Sequence, residues 1–194
     1  MKNIAIFISG KGSNAERMIL RFSQHKSIHV SCLISSRSNT EISALCEQAN
    51  VNYQECSWQL EDQENAIRML INKGVEWIIL AGFLKKIPLS MINAFPDKII
   101  NIHPSLLPKF GGKGMYGMHV HKAVIEANEK ESGISIHYVN EEYDKGKIIA
   151  QIKIKIKATD DEISLFHRIR ELEVNHFTRV VENEILTVSA KNVD

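Results

Sequence analysis

Short apolar segments that alternate with helical patterns constrain the fold of this chain more than any other feature. Residues 4–8 read IAIFI without a polar residue, and comparable strands are predicted at residues 30–34, 77–81 and 98–103. Continuous apolar runs are typical of strands in a parallel sheet, because helices cover both faces of such a sheet. Strands that alternate with helices over short links therefore predict an α/β fold.

Helices are predicted wherever apolar residues recur at three- and four-residue spacing. The first two begin at capping boxes, Ser13 with Glu16 and Ser38 with Glu41. A third runs over residues 60–73, and a short fourth over residues 88–94. The residues predicted to face the core are Ala15, Met18, Ile19 and Phe22, then Ile42, Leu45, Cys46 and Ala49, then Ala66, Ile67, Leu70 and Ile71.

The second half of the chain has a different pattern. Residues 134–138 and 148–157 alternate apolar and polar positions, which predicts half-exposed, antiparallel strands. The lysines of the latter segment, Lys153, Lys155 and Lys157, are interpreted as a solvated face that protects a sheet edge. A long helix follows, with Thr159 and Glu162 as its capping box. Its predicted core residues are Ile163, Phe166, Ile169, Leu172, Phe177 and Val180, and residues 185–188 are predicted as a final strand.

These patterns predict a three-layer architecture. An open, mostly parallel twisted sheet of Rossmann-like type carries helices on both faces, and antiparallel strands follow in the C-terminal half. No linker rich in Gly, Pro or Ser separates the halves, so residues 1–194 are predicted to form one domain.

Composition excludes several classes of protein. The formal net charge is +1, which gives no indication of nucleic-acid or membrane binding. The cysteines, Cys32, Cys46 and Cys56, lack metal or disulfide spacing and are predicted to be reduced thiols. No apolar run has the length of a signal sequence or membrane span, so we expect a cytoplasmic protein.

A glycine-containing turn follows the first strand. Gly10, Gly12, Ser13 and Asn14 belong to the segment GKGSN, which differs from the Walker and GxGxxG motifs. Glycines let a ligand approach the backbone, and a helix N-terminus offers free N–H groups, so a phosphate fits here. An ordinary tight turn explains the same residues.

Two polar residues share one face of a predicted buried strand. Asn101 and His103 precede Pro104, and unpaired polar groups inside a sheet cost ~1–3 kcal/mol each. A functional site or a hydrogen-bonded core pair accounts for them. Asp144 lies in a predicted loop, where most acids are merely solvated; only a histidine partner gives it another role.

Other polar residues are open to two interpretations. His119 and His121 precede a helical stretch, but no acid or cysteine nearby completes a metal site, so no metal is predicted. His137 is a core or a site residue. Glu173 is a carboxylate at the rim of a site or part of a solvated face.

Four segments together resemble the glycinamide ribonucleotide formyltransferase family over nearly the whole chain. They read SGKGSN at residues 9–14, LAGFLKKIP at 80–88, INIHPSLLPKF at 100–110 and SIHYVNEEYDKGKIIAQ at 135–151. The HPSLLP element, preceded by Asn and followed later by D-x-G, marks enzymes that use 10-formyltetrahydrofolate. The GSN turn indicates the glycinamide ribonucleotide branch.

The resemblance implies roles for individual residues. Asn101, His103 and Asp144 match the catalytic residues. Those that match the binding of phosphorylated substrate are Gly12, Ser13, Asn14, Pro104 and Glu173. Those that match the folate pocket are Leu84, Lys85, Lys86, Ile87, Asn101, Val139, Asn140 and Asp144. Residues 1–100 then form the phosphate-binding half, and residues 101–194 the folate-binding and catalytic half.

The implied reaction transfers a formyl group from 10-formyltetrahydrofolate, a consumed cosubstrate, to the amine of phosphoribosylglycinamide in purine synthesis. Asn101 and protonated His103 are expected to stabilise the oxyanion, and Asp144 to raise the pKa of His103. Small molecules are the expected partners of a monomer or homodimer. The alternatives are another 10-formyltetrahydrofolate-dependent formyltransferase or hydrolase, for which extra domains are expected, and a catalytically silent folate- or nucleotide-binding module.

Overall fold

The computed structural model describes residues 1–191 and contains one sheet of seven strands in the order β3-β2-β1-β4-β5-β6-β7. The strands are β1 (Lys2–Ile8), β2 (Ile28–Ser35), β3 (Asn52–Glu55), β4 (Trp77–Leu80), β5 (Ile99–His103), β6 (Glu131–Tyr138) and β7 (Ile148–Lys155). The helices are α1 (Ser13–Phe22), α2 (Thr40–Gln48), α3 (Leu60–Asn72), α4 (Leu89–Ala94), α5 (Met118–Glu126) and α6 (Glu162–Lys191).

The sheet is parallel from β3 to β5 and antiparallel from β5 to β7, as predicted. The order reverses at β1, which has β2 on one side and β4 on the other. Crevices at the carboxyl ends of strands that flank such a reversal are the usual ligand sites of open α/β sheets. None of the helices in the described part of the chain has the length and apolarity needed to cross a membrane.

Alternate residues of β1 enter two separate cores, so helices cover both faces of the sheet. Ile4, Ile6 and Ile8 pack in the larger core with buried residues of α1, α2, α5 and α6. Ala5 and Phe7 pack on the other face with Ala66 and Leu70 of α3 and Met91 of α4. This two-sided burial explains why the central strands are continuously apolar.

All three predicted capping boxes are wrong. Gly12, with φ 79°, precedes α1, and no side chain caps that helix. Asn39 caps α2, because its Oδ1 accepts a hydrogen bond from Ile42 N at 3.0 Å. Ahead of α6, Asp161 Oδ1 accepts from Ser164 N at 2.7 Å. In each case the residue directly before the helix is a neighbour of the predicted Ser or Thr.

Other differences concern edges and the last helix. β3 is absent from the prediction because this half-exposed edge strand, NYQE, has no apolar run. The predicted core residues Ile71 and Ile163 are 55% and 57% exposed. Residues 185–188 continue α6 and do not form a strand, because Ile185 is fully buried on the helix face that packs on the sheet.

Candidate functional site

A cleft of about 870 Å³ opens at the carboxyl edge of the central strands, a volume within the range of small-molecule sites. Segments that follow β1, β4 and β5 form one side. The β6–β7 loop, the glycine-rich segment 112–117 and α6 complete it. The predicted site residues that line the cleft are Gly12, Ser13, Asn14, Leu84, Lys85, Lys86, Ile87, Asn101, His103, Pro104, Val139, Asn140, Asp144 and Glu173.

The turn after β1 is shaped by close packing at Gly12. Its φ is 79°, and an added Cβ would lie 2.7 Å from Ile42 Cγ1 and 2.8 Å from Cδ1. Any other residue would therefore be strained and would displace α2. The turn delivers the first N–H groups of α1 to the cleft, where they can bind an anion.

Asn14 links this turn to the last helix. Its Nδ2 donates a hydrogen bond to Glu173 Oε2 at 3.1 Å. Burial raises the pKa of the Glu173 carboxyl to about 7, although Asn14 and the charge of Arg170 oppose the increase. Glu173 therefore titrates near neutral pH and faces the predicted phosphate turn. The sequence alone did not decide whether Glu173 belongs to a site or to the solvated surface.

Asn101 is held by a histidine on the neighbouring strand. Asn101 of β5 and His137 of β6 are direct partners in the antiparallel register. His137 Nδ1 lies 2.8 Å from the Tyr138 carbonyl and therefore donates to it, which leaves Nε2 to accept from Asn101 Nδ2 at 3.1 Å. One N–H of the Asn101 amide stays available to the cleft.

His103 is buried at the end of β5 between two acceptors. Its Nε2 donates to the Phe110 carbonyl at 2.8 Å, and its Nδ1 lies 3.5 Å from Asp144 Oδ2. Burial lowers the pKa of His103, whereas Asp144 and the Phe110 carbonyl act in the opposite direction. Asp144 thus acts in the expected direction, but the net pKa of His103 is lowered because desolvation outweighs the carboxylate.

Asp144 occupies a left-handed position in the β6–β7 loop, with φ 57°. Its Oδ2 accepts from Gly112 N at 2.8 Å, and its Oδ1 lies 3.6 Å from His137 Nε2. Burial opposes ionisation of this carboxyl, but His137, His103 and the Gly112 N–H together outweigh it and lower the pKa of Asp144. Asp144 is thus an ionised carboxylate beside His103. A histidine partner of this kind distinguishes it from a merely solvated loop acid.

A buried network fixes the chain that leaves His103. Ser135 Oγ donates to the Ser105 carbonyl at 2.7 Å and accepts from Leu107 N at 2.9 Å. Gln151 Nε2 donates to Ser135 Oγ and to the Leu107 carbonyl, both at 2.9 Å. The segment that supplies the Phe110 carbonyl is thereby held by β6 and β7.

The predicted folate segments both line the cleft. Residues 84–87 follow β4, and residues 139–144 belong to the β6–β7 loop. Leu84 N donates to Ser9 Oγ at 2.9 Å, and Lys86 Nζ lies 5.7 Å from the centre of the Tyr143 ring. Leu84 is 48% exposed, whereas Ile87 is buried.

Comparison with known proteins shows to which family this chain belongs. Residues 2–181 match the family model described as formyl transferase. The chain belongs to the formyl transferase family.

Two relatives and one solved structure illustrate the similarity. Phosphoribosylglycinamide formyltransferase of Haemophilus influenzae is 33% identical, and the match covers 94% of this chain and 86% of that protein. The chloroplastic phosphoribosylglycinamide formyltransferase of Arabidopsis thaliana is 36% identical over 93% of this chain, which spans only 64% of that relative's length. The crystal structure of phosphoribosylglycinamide formyltransferase from Bacillus halodurans has a TM-score of 0.84 at 28% identity and covers 95% of both chains.

Three residues of this formyl transferase site were missed or left open by the sequence. His137 holds Asn101, and its alternation within β6 gave only an ambiguous signal. Arg170 lines the cleft one helical turn before Glu173, a spacing that would have revealed it. His121 also lines the cleft, and burial lowers its pKa to about 4.

The paired histidines of α5 have separate environments. His121 is buried against Phe166, with 5.5 Å between ring centres, whereas His119 is exposed beside Tyr116. Both lie within α5, although the sequence placed them before a helix. Among residues 1–191, no group of three His, Cys, Asp or Glu side chains is arranged to hold a metal ion.

Proposed function

We propose that this chain transfers the formyl group of 10-formyltetrahydrofolate to the amine of 5'-phosphoribosylglycinamide, a step of purine biosynthesis. One observation carries the proposal. Asn101, His103 and Asp144 come together in a cleft that is also lined by the glycine turn before α1 and by residues 84–87 and 139–144. Such a cleft suits two substrates whose reacting groups meet in the middle.

The phosphate of the acceptor would bind at Gly12, Ser13 and Asn14. The backbone N–H groups at the start of α1 supply hydrogen bonds and partial positive charge. Arg170 lies in the same cleft and supplies a full charge. Glu173 and Pro104 then lie between this turn and His103, where the ribose and the amine of the substrate would contact them.

The folate would bind between residues 84–87 and the β6–β7 loop. Ile87 and Val139 provide apolar surface there, and Asn140 and Asp144 provide polar groups on the facing side. Lys85 and Lys86 are exposed at the mouth, where their ammonium groups suit the carboxylates of a folate tail.

In the reaction, the nitrogen of the acceptor amine attacks the formyl carbon, and negative charge develops on the formyl oxygen. The unused N–H of Asn101 donates a hydrogen bond to that oxygen, and the positive charge of protonated His103 stabilises it electrostatically. The bond from the formyl carbon to N10 of the folate then breaks, and N10 receives a proton equivalent to the one that the amine loses.

The lowered pKa of His103 fits this sequence of events. Before reaction the imidazole is mainly neutral and donates through Nε2. The oxyanion that forms beside it favours its protonated form, so the charge arises when the transition state needs it. Asp144 stabilises that imidazolium across a 3.5 Å separation.

We further propose that residues 1–194 act as one domain, as a monomer or homodimer in the cytoplasm. No metal takes part in the proposed reaction, since Asn101 and His103 supply the electrophilic stabilisation. The formal net charge of +1 and a cleft of small-molecule size favour small-molecule substrates over nucleic acid.

The proposal is tested by a panel of acceptors with 10-formyl-5,8-dideazafolate as donor, followed by the absorbance of the deformylated product. We expect turnover with phosphoribosylglycinamide and none without an acceptor. Loss of the formyl group without an acceptor would identify a hydrolase. Donor binding without turnover on any acceptor would identify a silent binding module.

A further inference from the structure

Trp58 adopts a backbone conformation that bulky residues rarely occupy. It lies in the loop between β3 and α3, with φ 65°. A Cβ makes the left-handed region unfavourable, so a tryptophan stays there only when its surroundings hold it. Such residues cluster at positions that support ligand sites.

Several contacts hold Trp58 in place. The Trp58 carbonyl accepts from Gln63 Nε2 at 2.9 Å. The indole ring packs edge-to-face on Phe83, with 4.7 Å between ring centres, and on Phe7 at 5.5 Å. Only 7% of the residue is exposed. The ring and the backbone are therefore fixed independently of any ligand.

The single polar atom of the Trp58 side chain, Nε1, forms a hydrogen bond with the predicted folate segment. Trp58 Nε1 donates to the Lys86 carbonyl at 2.9 Å. Trp58 itself is absent from the lining of the cleft, whereas residues 80–87 all line it. The indole thus acts on the cleft only through the backbone of its neighbour.

Two side chains anchor this segment, which lacks regular hydrogen bonding of its own. Ser9 holds its first part, because Ser9 Oγ accepts from Leu84 N at 2.9 Å and Ser9 N donates to the Gly82 carbonyl at 3.1 Å. Trp58 holds its last part. With the Lys86 carbonyl turned toward the indole, the peptide groups around Ile87 have a fixed orientation toward the cleft.

We infer that Trp58 is a positioning residue that sets the affinity for the folate donor and leaves recognition of the phosphorylated acceptor unchanged. The inference rests on the proposed function, and it extends that function to a residue outside the cleft. Of the residues that line the cleft, Trp58 contacts Phe83 and Lys86, which belong to the segment before and within the predicted folate site, whereas the phosphate turn packs on Ile42 of α2 through Gly12.

The test is Trp58→Phe, which keeps an aromatic ring against Phe7 and Phe83 but removes the N–H. The matched control is Trp77→Phe, because Trp77 is the only other tryptophan of the chain and is buried beneath Lys98 at the other end of β4. For each variant, KM is measured for donor and acceptor separately, and the Kd of 10-formyl-5,8-dideazafolate is measured by calorimetry.

Trp58→Phe is expected to raise the donor KM and Kd about fivefold, the factor that corresponds to the ~1 kcal/mol of one hydrogen bond. The acceptor KM should stay unchanged, and Trp77→Phe should change neither constant. Unchanged donor constants in a folded Trp58→Phe variant, or equal increases for both substrates, would overturn the inference while wild-type turnover upholds the proposed function. A wild-type protein that neither turns over nor binds the donor would overturn both.

Discussion

Oδ2 of Asp144 lies 3.5 Å from Nδ1 of His103 and accepts a hydrogen bond from the Gly112 backbone at 2.8 Å. The carboxylate thus connects the β6–β7 loop, the end of β5 and the glycine-rich loop. Because its pKa is lowered, it is ionised at neutral pH and provides the nearest negative charge to the imidazole.

Asp144→Asn should leave the chain folded and reduce kcat by ~100-fold or more, because the imidazolium of His103 loses its charge partner. Asp144 raises the pKa of His103 against the effect of burial. Its removal therefore lowers that pKa further and shifts the dependence of kcat on protonated His103 to more acidic pH.

The pH profile of kcat for wild type and variant checks this prediction. Asp97→Asn is a suitable control, because Asp97 also has a left-handed backbone, with φ 54°, but lies outside the cleft. An unchanged kcat for Asp144→Asn across neutral pH would remove the proposed role of this carboxylate.

Glu173→Gln should change stability in a pH-dependent way. The pKa of Glu173 is about 7 in the folded chain, above its ordinary value of 4.5. The Glu173 carboxyl therefore loses its proton at lower pH in the unfolded chain than in the folded chain. As a result, its contribution to the free energy of unfolding falls as pH rises from 4.5 to about 7. Above that window the destabilisation is complete.

Glutamine removes this titration and still accepts from Asn14 Nδ2. The Tm of Glu173→Gln relative to wild type should consequently be higher at about pH 8 than at about pH 5. The KM for the phosphorylated acceptor should rise because a charged contact is lost. The same Tm difference at both pH values would show that Glu173 has an ordinary pKa.

Gly12→Ala should destabilise the chain and weaken acceptor binding. The left-handed backbone costs ~1–2 kcal/mol for a residue with a Cβ, and the methyl group would collide with Ile42 at 2.7 Å. Gly10→Ala is the matched control, since nothing lies within 4 Å of its added Cβ. We expect a lower Tm for Gly12→Ala alone, together with a raised acceptor KM for that variant, and equal losses of Tm in both variants would contradict the packing argument.

Ser135→Ala should lower both stability and kcat. It leaves the buried Leu107 N–H without its acceptor, at a cost of ~1–3 kcal/mol, and loosens the segment that leads to Phe110. Ser132→Ala, on the same strand, is the control: Ser132 Oγ is buried without a hydrogen-bond partner among the described residues, so its loss should be neutral or stabilising. Comparable Tm losses in both variants would argue against the network.

Sequence patterns predicted the sheet well, because strands buried on both faces are continuously apolar and half-exposed strands alternate apolar and polar residues. The continuous apolar run of β1 and the alternation in β7 are examples. Helix starts were mispredicted, because α1 follows a left-handed glycine without a side-chain cap, and because Asn39 and Asp161 cap α2 and α6 as well as the nearby Ser or Thr residues could.

The site was predicted residue by residue only where a family motif exists. Asn101, His103 and Asp144 were singled out that way, and the fold brings them together in one cleft. His137 was left open between core and site because it acts through cross-strand register, and Trp58 was missed because it acts through a hydrogen bond to a distant backbone carbonyl. The sequence also did not predict that the net pKa of His103 is lowered, since this depends on how deeply the ring is buried.

The role of His103 is tested by comparing wild type with His103→Ala in formyl transfer from 10-formyl-5,8-dideazafolate to phosphoribosylglycinamide. We expect acceptor-dependent turnover by wild type and a loss of at least ~100-fold in kcat for a folded His103→Ala variant that still binds both substrates. Retention of wild-type kcat by His103→Ala would show that His103 does not stabilise the transition state.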